Sequence, residues 1–209
     1  MKAKNIHKQY INLLYWVLNI LHNKLDLTKG HKKKQPDMKM GDWKAAQALV
    51  DTYFKESQFA DRLQAGRQYA DIFCELIRGA YDRAIEMCTE ELDVHPEDGV
   101  YYILRAFANQ YRESALSPKG KILKDLTEAI RYRSDDIMAL RARSHNCDTK
   151  KMLLAYRIDD LTRLMELDPE HREYYLHSRA YAYEFSGQTE YSENDFREIR
   201  RMKEQIAEQ

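Results

Sequence analysis

Two kinds of side-chain grouping in this 209-residue chain could do chemistry. His145 and Cys147 lie two residues apart, and His171 and His177 flank the start of a later segment; these residue types ligate zinc. Asp135-Asp136 and Asp159-Asp160 are adjacent carboxylates, the material of general acid–base work. Neither grouping has the spacing such chemistry needs, and the chain contains no CxxC pair, HExxH helix, Gly-rich phosphate loop or nucleophile elbow. Isolated His and Cys residues on helices are more often packed or solvated than metal-bound. The sequence therefore assigns no catalytic, metal-ligating or cofactor-binding residue, and an enzyme is not expected. A third carboxylate set, Asp125, Asp160 and Asp195, recurs every thirty-five residues. That regularity reads as a solvated face presented by successive helices.

The phrases that carry these aspartates are "DLTEAI", "DLTRLM" and "DFREIR", each with apolar residues at helical spacing, as in Leu126, Ala129 and Ile130. Upstream of each lies a second helical segment, "YYILRAFANQY", "IMALRARSHN" and "YYLHSRAYAYEF". All three contain Arg-Ala, at Arg105-Ala106, Arg141-Ala142 and Arg179-Ala180, which aligns the three alanines as the small residues where paired helices touch. Gly41, Gly79 and Gly187 each stand five residues before a small residue and suit a left-handed helix end. His95-Pro96 and Asp168-Pro169 mark further helix ends, because Pro cannot continue a helix but can open the next. A fixed period of this length implies stacked units, so the expected fold is all-α. Only 7 Gly and 4 Pro leave little turn chemistry for an all-β alternative.

Charge and cysteine usage bound the function. Lys+Arg and Asp+Glu both number 34, a balance that argues against a nucleic-acid-coating protein. Residues 1–41 hold nine Lys against two Asp, a local +7 that the remainder cancels. Within them, Tyr10 to Leu21 is apolar but too short to cross a bilayer, is interrupted by Asn12 and Asn19, and precedes no signal-type cleavage site. It reads as a packed amphipathic helix, with a membrane-surface anchor as the alternative. Lys29 to Lys34, "KGHKKK", reads as a soluble linker without the interleaved aromatics of a base-stacking surface. The three cysteines form no disulfide framework, which suits a cytoplasmic chain. The organisation expected is an N-terminal helix and basic linker over residues 1–40 and a helical-repeat domain over 41–209.

Paired helices of about thirty-four residues with small residues in the contact and Pro near the end resemble the tetratricopeptide repeat (TPR) family. Ala180, Tyr183, Gly187, Ser192 and Phe196 fit its marked positions best, and Gly79, Ala84, Cys88 and Pro96 fit in an earlier unit. Two middle units depart, with about four extra residues around "SALSPKG" and about three around "CDTKK". The resemblance implies a right-handed α-α superhelix of stacked antiparallel helix pairs, about 3.5 to 4.5 of them, acting as a protein-binding scaffold. It implies a concave groove lined by Ile103, Phe107 and Tyr111, by Arg143 and Asn146, and by Tyr174, His177, Tyr181 and Phe185. The implied partner is a peptide or helix of another protein, with Arg143 and Asn146 holding its polar groups. The Lys and Asn pattern by which some family members clamp the acidic tail of heat-shock chaperones is missing, so that partner is disfavoured. Rival readings are a membrane-surface-tethered assembly factor or chaperone-like protein, and a helical-repeat nucleic-acid binder.

Overall fold

The computed structural model describes residues 60–112, 119–147 and 151–207. Among them are eight α-helices and one short 3-10 helix, and no strand. The chain divides into two compact units, residues 1–117 and 118–209. In the first unit are α1 (Ala60–Arg78), α2 (Tyr81–Val94) and α3 (Gly99–Tyr111). The second unit holds α4 (Lys119–Tyr132), α5 (Ile137–Asn146), α6 (Lys151–Leu167), the 3-10 turn Pro169–His171, α7 (Arg172–Ser186) and α8 (Thr189–Ala207). Within each unit consecutive helices pack against one another. The expected amphipathic helix around Tyr10 to Leu21, the basic linker, the 40/41 boundary, the helix end at Gly41 and most of both insertions lie outside the described residues.

Helix ends follow the punctuation in the sequence. Gly79 and Gly187 have φ of +84° and +78°, the left-handed conformation that costs glycine least. At Gly187 the next amide, Gln188, donates to Tyr183 O at 2.8 Å while Gly187 itself donates to Glu184 O at 3.0 Å. Ala80 to Glu75 O and Gly79 to Leu76 O repeat the pattern at 2.9 and 3.1 Å. Both are Schellman closures, which satisfy carbonyls that a helix end otherwise leaves unpaired. Asp98 and Asp136 start α3 and α5, their carboxylates accepting from the amides of Val100 (3.0 Å) and Ala139 (3.1 Å). Asp136 is thus a helix cap rather than half of an acid–base pair.

Packing sets a register that differs from the Arg-Ala alignment. On the first helices, Leu104, Leu140 and Leu176 are fully buried at an interval of thirty-six, and Ala108, Ser144 and Ala180 are buried one turn further on at the same interval. On the second helices Leu126 and Leu161 are buried thirty-five residues apart. Each enclosed Leu contributes about 2 kcal/mol of hydrophobic stabilisation. The small residue at the α5 contact is therefore Ser144; Ala142 is only half-buried. Alignment on Arg-Ala shifts the α3 and α5 units by two residues relative to α7, which is why part of the expected groove lies in the core.

Candidate interaction face on the last helix pair

α7 buries Tyr175, Leu176 and Ala180 on one side. The opposite row runs Tyr174, His177, Tyr181 and Phe185, at i, i+3, i+7 and i+11, and therefore shares one helical face. Three of its rings are open to solvent, Tyr174 at 64%, Tyr181 at 50% and Phe185 at 61%. Aromatics this exposed and this regularly spaced form a continuous apolar stripe, in contrast to scattered surface residues. Phe196 of α8 borders it. Its ring meets Tyr181 edge-on at 5.7 Å between centroids and His177 at 6.0 Å, so the stripe widens across both helices. The edge-to-face contacts with Phe196 orient the Tyr181 and His177 rings.

The other expected groove residues are placed differently. Ile103 is fully buried and Phe107 nearly so, in the core of the first unit. Tyr111 is half-buried, stacked on Phe107 at 6.1 Å and facing Tyr81 at 6.4 Å, and burial raises its phenol above the ordinary range. Asn146 donates to its own helix at Ala142 O, 2.8 Å away. Arg143 is 5% exposed and committed to Asp160. By the thirty-six-residue register, the α5 counterparts of Tyr174, His177 and Tyr181 are Met138, Arg141 and His145, and those on α3 are Tyr102, Arg105 and Asn109. Sequence reasoning did not bring these six positions into register with the α7 row. The Leu-then-small pairs at Leu104/Ala108, Leu140/Ser144 and Leu176/Ala180 carried the signal.

The recurring aspartates are also not a solvated face. Asp125, Asp160 and Asp195 are 5%, 0% and 4% exposed. Asp195 receives Arg179 from two directions, Nε to Oδ2 at 2.9 Å and Nη2 to Oδ1 at 2.7 Å. Arg179 Nη1 also reaches Thr162 Oγ1 on α6 at 2.9 Å, while Arg143 Nη1 is 3.5 Å from Thr127 Oγ1 on α4. One guanidinium thus fastens its own hairpin and the preceding helix. Burial alone would lower both arginines, but the hydrogen bond and charge of the aspartate hold each above its ordinary value. Such pairs are structural rungs, since the two-pronged contact between guanidinium and carboxylate is made inside the fold.

A second node closes the junction under Tyr174. Asp168 accepts from Arg141 Nη2 and from Tyr175 OH, the latter at 2.5 Å, and pairs with His171 Nδ1 at 2.9 Å. Burial would raise the Asp168 carboxyl, but the Tyr175 and His171 hydrogen bonds and the Arg141 charge hold it below the usual carboxylate range. Tyr175 is pushed up by burial and by donating to that carboxylate. Its ring meets Tyr174 edge-on at 5.6 Å, so the node supports the first ring of the stripe. Among the described residues no cluster of three or more His, Cys, Asp or Glu could hold a metal ion, and no helix is long and apolar enough to cross a membrane.

Comparison with protein-family models, curated proteins and solved structures finds no match to this chain.

Proposed function

We propose that this chain is a non-enzymatic interaction module of the TPR-like kind, a right-handed superhelix of helix pairs that recruits a segment of another protein. The observation that carries the reading is the aromatic row of α7, three rings at least half exposed on one face of a helix whose other face is packed. Large rings with a polar edge anchor a partner because they bury much apolar area and keep a hydroxyl for orientation. The two Arg–Asp–Thr rungs, thirty-five to thirty-six residues apart, support the repeat character, since the α5–α6 and α7–α8 hairpins use the same device to hold the preceding helix. Three free, buried cysteines are in keeping with a reducing compartment. Partner capture comes from α7 and its border in place of the wider groove that the family resemblance implies.

Affinity capture from a native extract tests this. Replacing Tyr174, Tyr181 and Phe185 together by Ala should abolish capture of specific partners while circular dichroism stays unchanged, because none of the three supports the core. Capture that survives the triple replacement rejects the assignment.

A further inference from the structure

We propose that the α7–α8 face accepts an amphipathic helix from a partner protein in one direction only, its basic end over Glu184 and Glu193 and its acidic end over Arg200. The proposal rests on the aromatic row being the binding face, and adds the charge order of what binds there. Tyr174, His177, Tyr181 and Phe185 follow the spacing by which one helix lies along another, and span about 16 Å, or three turns of a partner helix. Charges of opposite sign bracket this row. At the Phe185 end, Glu184 is exposed and has no ion pair among the described residues. Glu193, three residues before Phe196, is exposed on the adjoining side of α8, and its carboxylate is likewise unpaired. Arg197, one turn on from Glu193, donates to the Asn194 side chain.

At the Tyr174 end the sign reverses. Arg200 lies one turn beyond Phe196 on the same side of α8 and is exposed, with no hydrogen bond or ion pair among the described residues. The neighbouring Lys203 is matched by Glu173 at 3.2 Å, whereas Arg200 is open to a partner's carboxylate. Unpaired charges at the rim of an apolar stripe contribute little affinity, but they reject a partner laid down the wrong way. A helix with apolar residues along one face and opposite charges at its two ends satisfies both features at once.

Panning a random-peptide display library on the full chain tests the proposal. Enriched peptides should show helical apolar spacing with Lys or Arg at one end and Asp or Glu at the other. Their binding should fall about tenfold or more on the double change Glu184→Lys with Glu193→Lys. Adding Arg200→Glu should then select peptides of inverted charge order. If enriched peptides depend on Tyr181 but ignore all three charge changes, the directional proposal is overturned and the binding face stands. If no enriched peptide is sensitive to Tyr181→Ala, the binding-face reading fails and this one with it.

Discussion

Arg143 and Asp160, seventeen residues apart on α5 and α6, meet side-on, with Nε 2.9 Å from Oδ2 and Nη2 2.7 Å from Oδ1, and their side chains are 7% and 0% exposed. The geometry uses both prongs of the guanidinium, so neither charge keeps access to water. Removing one partner strands the other. Asp160→Asn should destabilise the chain by about 3 kcal/mol or more, whereas Arg143→Met combined with Asp160→Leu should recover most of that loss. Arg143→Lys should behave like a deletion, because an ammonium cannot make the two-pronged contact. Urea unfolding followed by circular dichroism checks all three; Asp160→Asn or Arg143→Lys as stable as the parent would show that the rung carries no stability.

The small-residue register can be tested at two neighbouring sites. Ser144→Leu should overpack the α5 contact and cost about 1–3 kcal/mol, while Ala142→Leu, at a half-buried position, should cost well under that. The reverse order would restore the Arg-Ala alignment.

That pair of sites also shows what could be read from the chain alone. Helix positions, both glycine ends and both Pro boundaries were legible, because apolar spacing and turn residues act locally. Phase was not. A period of thirty-five fixes how often Asp125, Asp160 and Asp195 recur, but not which side of the helix they occupy, and the default for a carboxylate is water. The arginines sixteen or seventeen residues upstream, Arg143 and Arg179, held the missing information. On α7 the phase was right, so Tyr174, Tyr181 and Phe185 emerged on the surface as expected. On α3 and α5 a two-residue slip sent Ile103, Phe107 and Arg143 inward. The Asp168 node escaped notice because its members come from three segments with no common spacing.

Asp168 gives the chain a defined acid response. A carboxyl held below its unfolded value of about 3.9 adds stability that is complete above that pH and disappears as pH falls through the folded value. Asp168→Asn should therefore be clearly less stable than the parent at neutral pH. The gap should narrow below about pH 4 and close in stronger acid. Unfolding of both proteins across that range decides the matter, and a gap that does not change with pH would remove Arg141, Tyr175 and His171 as its cause.

The thiols respond at the other end of the scale. Cys74, Cys88 and Cys147 are all buried, and burial pushes the Cys147 thiol up to about 11. At pH 8.5, where an ordinary thiol is about half ionised, under about 1% of Cys147 would be thiolate. Iodoacetamide should label none of the three quickly in the native protein and all of them in denaturant, as read by mass shift. Because the folded value lies above the unfolded one, the stabilisation from Cys147 is present below about pH 8.5 and is lost as pH rises towards 11.

Gly187 isolates backbone strain from crowding. A Cβ placed there would meet nothing within 4 Å, yet φ is +78°. Gly187→Ala should cost about 1 kcal/mol and Gly187→Asn less, since Asn tolerates the left-handed region. A shift in thermal midpoint that ranks the two the other way would point to a contact rather than to conformation.

The backward reach of each arginine has an engineering corollary. Thr127 and Thr162 stand thirty-five residues apart and receive the same kind of guanidinium. Splicing out one hairpin's worth of chain between them would hand Arg179 a hydroxyl equivalent to the one it lost. Recombination between Thr127 and Thr162 is therefore expected to shorten the chain by one hairpin without leaving a severed tie at the joint.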